Sequence, residues 1–139
     1  MTFTLDAHSR CALIVDDNDR YRSMLVRSMK ALRFDALEAS NGVQALDVLR
    51  SHPEVELLLC DIHMAEMNGL ELLEQVHAGW PTTAVMMITG VDDAGIAARC
   101  MASGAMDFIA KPFRMEELRS RVGVVMERRR TLLEDAPKP

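Results

Sequence analysis

The chain of 139 residues is poor in aromatic side chains and has no long apolar run. Aromatic residues make up 4% of it, with one tryptophan and one tyrosine. No window approaches the roughly eighteen consecutive apolar residues that a membrane-spanning helix needs. The first ten residues lack the apolar stretch and cleavage site of a secretion signal. We therefore expect a cytoplasmic protein that makes no contact with a membrane.

Cysteine and clustered positive charge are also scarce. The formal net charge is −5, and the only basic run is the arginine triplet at 128–130. Because phosphate contacts draw on clustered Lys and Arg, we expect no direct nucleic-acid binding by this chain. Cys11, Cys60 and Cys100 are odd in number, widely spaced and set among apolar residues. This pattern favours reduced core thiols over disulfides, zinc ligands or a catalytic cysteine.

Apolar residues make up 49% of the chain, which is enough for the hydrophobic core of one domain. Short apolar runs alternate with stretches of helical period, which predicts an α/β domain with a parallel sheet and crossover helices. The predicted strands are β1 at 11–15, β2 at 34–39, β3 at 55–60, β4 at 84–88 and β5 at 107–110. The predicted helices are α1 at 21–32, α2 from 41, α3 from 68, α4 at 93–103 and α5 at 115–133. The predicted domain spans 10–130, between an N-terminal extension at 1–9 and a tail or linker start at 131–139.

Two of these helices begin with the same capping pattern. An asparagine stands at the cap and a side chain with a carbonyl oxygen stands three residues later, as Asn41 with Gln44 and Asn68 with Glu71. Helix α4 contains Gly95 and many alanines, so we predict that it is a weak helix.

Polar side chains follow four of the five predicted strands at the point where each strand ends. Asp16 and Asp17 follow β1, Asp61 follows β3, Thr89 follows β4 and Lys111 follows β5. The carboxyl ends of parallel strands meet at one edge of the sheet, where ligands bind. We therefore expect three carboxylates, a hydroxyl and an ammonium to share one cleft.

Three carboxylates and one ammonium leave this cleft with an excess of negative charge. Such a site is self-repulsive unless a cation joins it. Oxygen ligands without a Cys or His cluster favour Mg²⁺ over zinc. A carboxylate beside a divalent cation, a hydroxyl and a lysine is equipped for covalent phosphoryl transfer. The sequence therefore predicts a Mg²⁺-dependent phosphoryl-transfer site.

The segments that carry these residues resemble the receiver domains of bacterial two-component response regulators. The matching motifs are VDD at 15–17, CDIHM at 60–64, MNG at 67–69, ITG at 88–90 and DFIAKPF at 107–113. The resemblance covers about residues 10 to 130. It implies a doubly wound, flavodoxin-like (βα)5 fold, with a parallel sheet of order 2-1-3-4-5 flanked by five helices.

The resemblance also implies roles for the acidic residues. Asp61 would be the phosphoacceptor and a metal ligand. Asp17 would bind Mg²⁺ directly, and Asp16 mostly through water. His63 would offer the metal only its backbone carbonyl.

Three further residues receive roles from the same resemblance. Thr89 would bond one phosphoryl oxygen and Lys111 would pair with another. Phe108 occupies the position of the family's aromatic switch residue, and Lys111-Pro112 that of its cis peptide bond. Phosphorylation would draw Thr89 toward the phosphoryl oxygens and let Phe108 turn into the vacated space, which would change the α4–β5–α5 surface.

The function implied is a signalling switch that catalyses only its own phosphorylation and dephosphorylation. A sensor histidine kinase or a histidine phosphotransfer protein would supply the phosphoryl group, docking near Asp19, Arg20, Tyr21 and Phe113. The α4–β5–α5 surface would contact an output domain, a partner protein or a second copy of the chain. The length of α5 and its arginine triplet favour a linker helix or a dimer contact.

Three positions depart from the family pattern. Ala65 replaces a usual proline, so the loop after Asp61 should be less restrained. Arg114 replaces a usual capping residue at the start of α5. His63 is an uncommon choice beside the path of the hydrolytic water. The phosphoryl lifetime is therefore the property that the resemblance predicts least well.

Three other functions remain as alternatives. A Mg²⁺-dependent phosphatase-like hydrolase would also use an aspartate nucleophile, but it needs a second Asp where this chain has His63. A flavodoxin-like cofactor module needs a glycine-bearing first loop, which is acidic here. A receiver that is never phosphorylated would not need the complete acidic set.

Overall fold

A computed structural model describes residues 10–90 and 94–135. The predicted extension at 1–9, the predicted first residue of α4, Asp93, and the tail at 136–139 lie outside the described residues. The strands are β1 Arg10–Val15, β2 Phe34–Ala39, β3 Leu57–Asp61, β4 Ala84–Thr89 and β5 Asp107–Ala110. The helices are α1 Asp19–Ala31, α2 Gly42–Ser51, α3 Gly69–Gly79, α4 Ala94–Ala102 and α5 Met115–Asp135.

The strands form one parallel sheet of order β2-β1-β3-β4-β5, as the sequence predicted. The order reverses at β1, which pairs with β2 on one side and β3 on the other. A crevice for a ligand is expected where two neighbouring strands lead their connections to opposite faces of the sheet. We therefore expect a ligand-binding site at the carboxyl ends of β1 and β3.

The central strands are buried on both faces because helices cover both sides of the sheet. Every residue of β3 and β4 is buried, as is every residue of β1 after Arg10. Successive side chains of a strand point to opposite faces, so Leu13 and Leu58 join one apolar cluster while Ile14 and Leu59 join the other. The first cluster includes residues of α2, α3 and α4, and the second includes residues of α1 and α5. This two-sided core holds the strand ends in fixed positions.

The element boundaries differ from the predicted ones by a few residues. Helix α1 begins at Asp19 rather than Tyr21 because the Asn18 side chain caps it, accepting a hydrogen bond from the Tyr21 amide at 2.9 Å. Asp61 and Thr89 are the last residues of their strands, where the sequence placed them just after. Helix α5 continues to Asp135, five residues into the segment assigned to the tail.

The predicted helix caps are present in two forms. Asn68 and Glu71 make the full reciprocal capping box. Asn41 accepts from the Gln44 amide at 2.8 Å, but the Gln44 side chain accepts from the amide of Ser40 instead of Asn41. The weak helix predicted from its alanines, α4, is formed over nine residues. No helix in the described ranges is both long and apolar enough to cross a membrane.

All three cysteines are buried and free of disulfides, as predicted. Burial raises the pKa of Cys11 to about 11, raises the pKa of Cys100, and raises the pKa of Cys60 well above its usual value. A thiol whose pKa is raised by burial is a poor nucleophile. The cysteines therefore belong to the core.

Candidate functional site

Three polar residues are buried in the described part of the chain, and all three stand at strand ends. Asp16 directly follows β1 and is 0% exposed, while Asp61 ends β3 at 6% and Thr89 ends β4 at 4%. Buried polar groups are unfavourable unless they are paired or used. Lys111 directly follows β5 with its side chain 20% exposed. Four strand ends thus converge as the sequence predicted.

Three carboxylates form a cluster that fits a hard divalent cation. Asp16, Asp17 and Asp61 each offer an oxygen atom, and these atoms lie within 4.8 Å of one another. Among the described residues, none donates a hydrogen bond to the buried Oδ2 atom of Asp16. An anionic oxygen in that state is satisfied by a cation, and an oxygen-only donor set suits Mg²⁺.

Backbone amides hold the three carboxylates in their orientations. The bonds run from Asn18 N to Asp16 Oδ1 at 2.9 Å, from Ala65 N to Asp17 Oδ2 at 3.1 Å, and from His63 N to Asp61 Oδ1 at 3.1 Å. The second of these bonds is possible because Ala65 replaces the proline that is usual in the family. Proline at this position has no N–H to donate, so the alanine lets the loop after Asp61 bind the Asp17 carboxylate directly.

Lys111 is the cation that already faces the cluster. Its Nζ lies 3.3 Å from Asp61 Oδ2 and 3.5 Å from Asp16 Oδ2. The second distance is an ion pair rather than a hydrogen bond. Burial raises the pKa of Asp16, and the charge of Asp61 adds to the rise. The hydrogen bond from the Asn18 amide and the charge of Lys111 lower the pKa but do not cancel the rise. The Lys111-Pro112 peptide bond is cis, as the resemblance implied.

The proposed switch residues lie on the same face of neighbouring strands. Phe108 pairs in register with Met87, two residues before Thr89, and residues two apart on a strand share a face. Phe108 is half-buried and packs against the apolar cluster that contains Met87. Arg121 of α5 donates to the Phe108 carbonyl oxygen at 3.2 Å and to Asp107 Oδ1 at 3.0 Å. The Phe108 ring therefore packs beside β4, while its backbone carbonyl oxygen is bonded to α5.

The residues predicted to face a kinase do not share one environment. Asp19 and Arg20 are exposed, but Tyr21 and Phe113 are half-buried and their rings meet edge to face, with centroids 6.0 Å apart. The Tyr21 ring also lies against the Lys111 ammonium, whose Nζ is 4.0 Å from the ring centroid. Burial raises the pKa of Tyr21, with the charges of Asp16 and Asp61 adding to it. Tyr21 belongs to the site rather than to the outer surface alone.

One positioning residue was missed by the sequence analysis. Arg22 donates to the Asp16 carbonyl oxygen at 2.8 Å, to Asp19 Oδ1 at 2.7 Å and to Glu38 Oε1 at 3.1 Å. It thereby ties the β1–α1 loop to both α1 and β2. The only available signal was an arginine in the first turn of α1, close in sequence to the acidic residues that follow β1.

Known proteins are similar to this chain over most of its length. A family model described as the response regulator receiver domain matches residues 12–123. A chemotaxis protein CheY homolog of Campylobacter jejuni is 32% identical over 117 residues, covering 82% of this chain and 90% of that protein. A cyclic di-GMP phosphodiesterase of Thermotoga maritima is 34% identical over 110 residues, which are 79% of this chain and 29% of that protein. The response regulator protein PilR of Pseudomonas aeruginosa is 32% identical over 126 residues.

Solved structures are similar over most of the chain. The signal receiver domain of an HD domain-containing protein from Pseudomonas fluorescens has a TM-score of 0.83 and 26% identity, covering 89% of this chain and 99% of that one. A chain of the CheX-CheY-BeF3-Mg²⁺ complex from Borrelia burgdorferi has a TM-score of 0.81 and 26% identity, covering 84% of this chain and 89% of that one. The chain spans 29% and 28% of the phosphodiesterase and PilR but nearly the whole CheY homolog.

Proposed function

The chain belongs to the response regulator receiver domain family, whose members are phosphoacceptor switches, and from this premise we propose that Asp61 accepts the phosphoryl group. The observation that carries the proposal is the buried Asp61 carboxylate, with Lys111 Nζ at 3.3 Å and two more carboxylates in the same cluster. In the proposed step an Asp61 oxygen attacks the phosphorus atom. The bond from phosphorus to the donor breaks, and the donor's leaving group keeps that electron pair.

The other site residues would assist this transfer. Asp16, Asp17, Asp61 and the His63 carbonyl would hold Mg²⁺, which when bound neutralises charge on the phosphoryl oxygens. Lys111, with Nζ 3.3 Å from Asp61 Oδ2, is placed to pair with an oxygen of the incoming phosphoryl group. The domain would therefore catalyse only its own phosphorylation and dephosphorylation. The hydrolase alternative is not favoured, because His63 stands where a second Asp is needed and its side chain is exposed.

The native chain should gain one phosphoryl group per molecule when incubated with acetyl phosphate and Mg²⁺, and none when EDTA removes the metal. Intact-mass spectrometry measures the gain, and treatment with hydroxylamine should release the group because it is an acyl phosphate. A native chain that gains nothing in the presence of Mg²⁺ would contradict the proposed function.

Asp17→Asn tests the proposed metal site. The substitution keeps the side-chain shape but removes an anionic ligand, so half-maximal labelling should need about 10- to 100-fold more Mg²⁺. Glu66→Gln, an exposed change in the loop after Asp61, should leave the Mg²⁺ requirement as it is. Equal requirements in Asp17→Asn and the native chain would place the metal elsewhere.

The switch is proposed to run from Thr89 to Phe108. A phosphoryl group adds roughly one negative charge and three acceptor oxygens to Asp61, which draw the Thr89 hydroxyl by a charge-assisted hydrogen bond. Phe108, on the same face of the next strand, would turn its ring into the vacated space. A shift of the β5 backbone that accompanied this turn would reach α5 through the bond from Arg121 to the Phe108 carbonyl oxygen. Allosteric couplings of this kind are about 1–3 kcal/mol.

Phe108→Ala should be phosphorylated at the native rate but should lose the response of the α4–β5–α5 surface. Hydrogen exchange of the backbone amides in α4 and β5, measured before and after phosphorylation, reports that response. The native chain should show a change in protection, and Phe108→Ala should show little. The same change in both proteins would mean that Phe108 is only part of the core.

Receiver domains act with histidine kinases or phosphotransfer proteins, and we take such a protein as the donor. The exposed residues Asp19, Arg20, Ser23 and Arg27 border a shallow groove along α1 next to the site, which suits docking of a donor. We further propose a cytoplasmic protein with its receiver domain at 10–130. Contact of the α4–β5–α5 surface with an output domain, a partner or a second copy also remains a proposal.

A further inference from the structure

The Lys111 ammonium is in contact with an aromatic ring as well as with carboxylates. Its Nζ lies 4.0 Å from the centroid of the Tyr21 ring, well inside the range of about 6 Å over which a cation and an aromatic face attract. Nζ also lies 3.3 Å from Asp61 Oδ2 and 3.5 Å from Asp16 Oδ2. The ring therefore limits, together with these carboxylates, where the ammonium can move.

The Tyr21 ring is itself held in place from two directions. The backbone amide of Tyr21 donates to the Asn18 side chain at 2.9 Å, and this bond fixes the first turn of α1, from which the ring projects. The ring of Phe113, two residues after Lys111, packs against it at an interplanar angle of 71°. A lysine side chain has many rotamers and is ordered only when its surroundings restrict it. A fixed ring is such a restriction.

We propose that Tyr21 is a positioning residue for phosphoryl transfer, whose ring holds the Lys111 ammonium against Asp61. The inference rests on the proposed role of Asp61 as the phosphoacceptor. Lys111 pairs with a phosphoryl oxygen only if its ammonium is at the right place when the donor arrives. If the ring orders the lysine side chain beforehand, the entropic cost of ordering it is no longer part of the barrier to transfer. A ring face does this without competing for the carboxylates.

The test compares three single variants in labelling by acetyl phosphate at saturating Mg²⁺. Tyr21→Phe keeps the ring and should react at nearly the native rate. Tyr21→Leu keeps apolar bulk without a ring and should react about fivefold more slowly, the loss expected for one partly exposed cation–aromatic contact. Met24→Ala shortens a side chain one turn along α1 in the same apolar cluster and should lower the stability without lowering the rate.

A double-mutant cycle separates positioning from a general effect on structure. In the Lys111→Met background there is no ammonium to hold, so adding Tyr21→Leu should change the residual rate by less than about twofold. A native rate in Tyr21→Leu, or the same fold loss in both backgrounds, would overturn the inference while Asp61 remained the labelled residue. If the native chain gained no phosphoryl group, the proposed function and this inference would both be overturned.

Discussion

Asp61→Asn should gain no phosphoryl group under conditions in which the native chain gains one. An amide has the shape of the carboxylate but lacks its negative charge and is a poor nucleophile toward phosphorus. The neighbouring Asp16 carboxylate does not replace it, because Asp16 is 0% exposed and a phosphodonor does not reach it. Intact-mass spectrometry after acetyl phosphate treatment measures the difference, and circular dichroism confirms that the variant is folded.

Asp35→Asn is the matched control, since Asp35 is an exposed aspartate on the edge strand β2. It should be labelled to the same extent as the native chain. A mass gain that survives Asp61→Asn would move the phosphorylated residue elsewhere, and tandem mass spectrometry of the labelled peptide would then identify it. Loss in both variants would indicate a general effect of removing negative charge.

The strands could be predicted from sequence because burial on both faces leaves a clear pattern. Leu57 to Cys60 and Ala84 to Ile88 are continuous apolar runs, and each is fully buried between two helical layers. The strand order could not be obtained in this way, since periodicity does not say which strands are neighbours. It came from the resemblance of the strand-end motifs to a known family, and the structure confirms it.

The site could be predicted as a set of residue types but not as a geometry. Strand ends on one edge imply that Asp61 and Lys111 are close, whatever the details of packing. The contact of Tyr21 with Lys111 depends on where α1 begins, which the Asn18 cap sets two residues earlier than the apolar stripe suggested. The bond from the Ala65 amide to Asp17 uses a backbone donor, which every residue except proline carries, so no sequence pattern marks it.

These contacts together explain how the site tolerates its charge before any cation binds. Lys111 lies between Asp16 and Asp61, and amides of three different loop residues bond the carboxylates. The buried Oδ2 atom of Asp16 has the Lys111 ammonium at 3.5 Å but receives no hydrogen bond from the described residues. The site is thus organised by the protein itself, and a divalent cation would complete it.

Gly69→Ala should destabilise the domain and slow its phosphorylation, because Gly69 packs directly on the backbone that carries Asp61. Its amide donates to the Ile62 carbonyl oxygen at 2.8 Å. A Cβ atom at Gly69 would lie 2.3 Å from the Asp61 carbonyl oxygen and 2.7 Å from Ile62 Cα. These are backbone atoms at the end of β3, so they cannot yield without moving the phosphoacceptor.

Urea unfolding should show a loss of about 1–3 kcal/mol for Gly69→Ala, the usual effect of forcing an atom into a packed interior. Labelling by acetyl phosphate should slow as well, since Asp61 shifts relative to Lys111 and the other carboxylates. Gly79→Ala is the matched control, because Gly79 ends the same helix and a Cβ there would meet nothing within 4 Å. It should be as stable as the native chain, or slightly more stable because alanine restricts the unfolded chain, and should be labelled at the native rate. Equal unfolding midpoints and labelling rates for Gly69→Ala and Gly79→Ala would show that the loop after Asp61 accommodates the methyl group and that α3 does not fix the position of the phosphoacceptor.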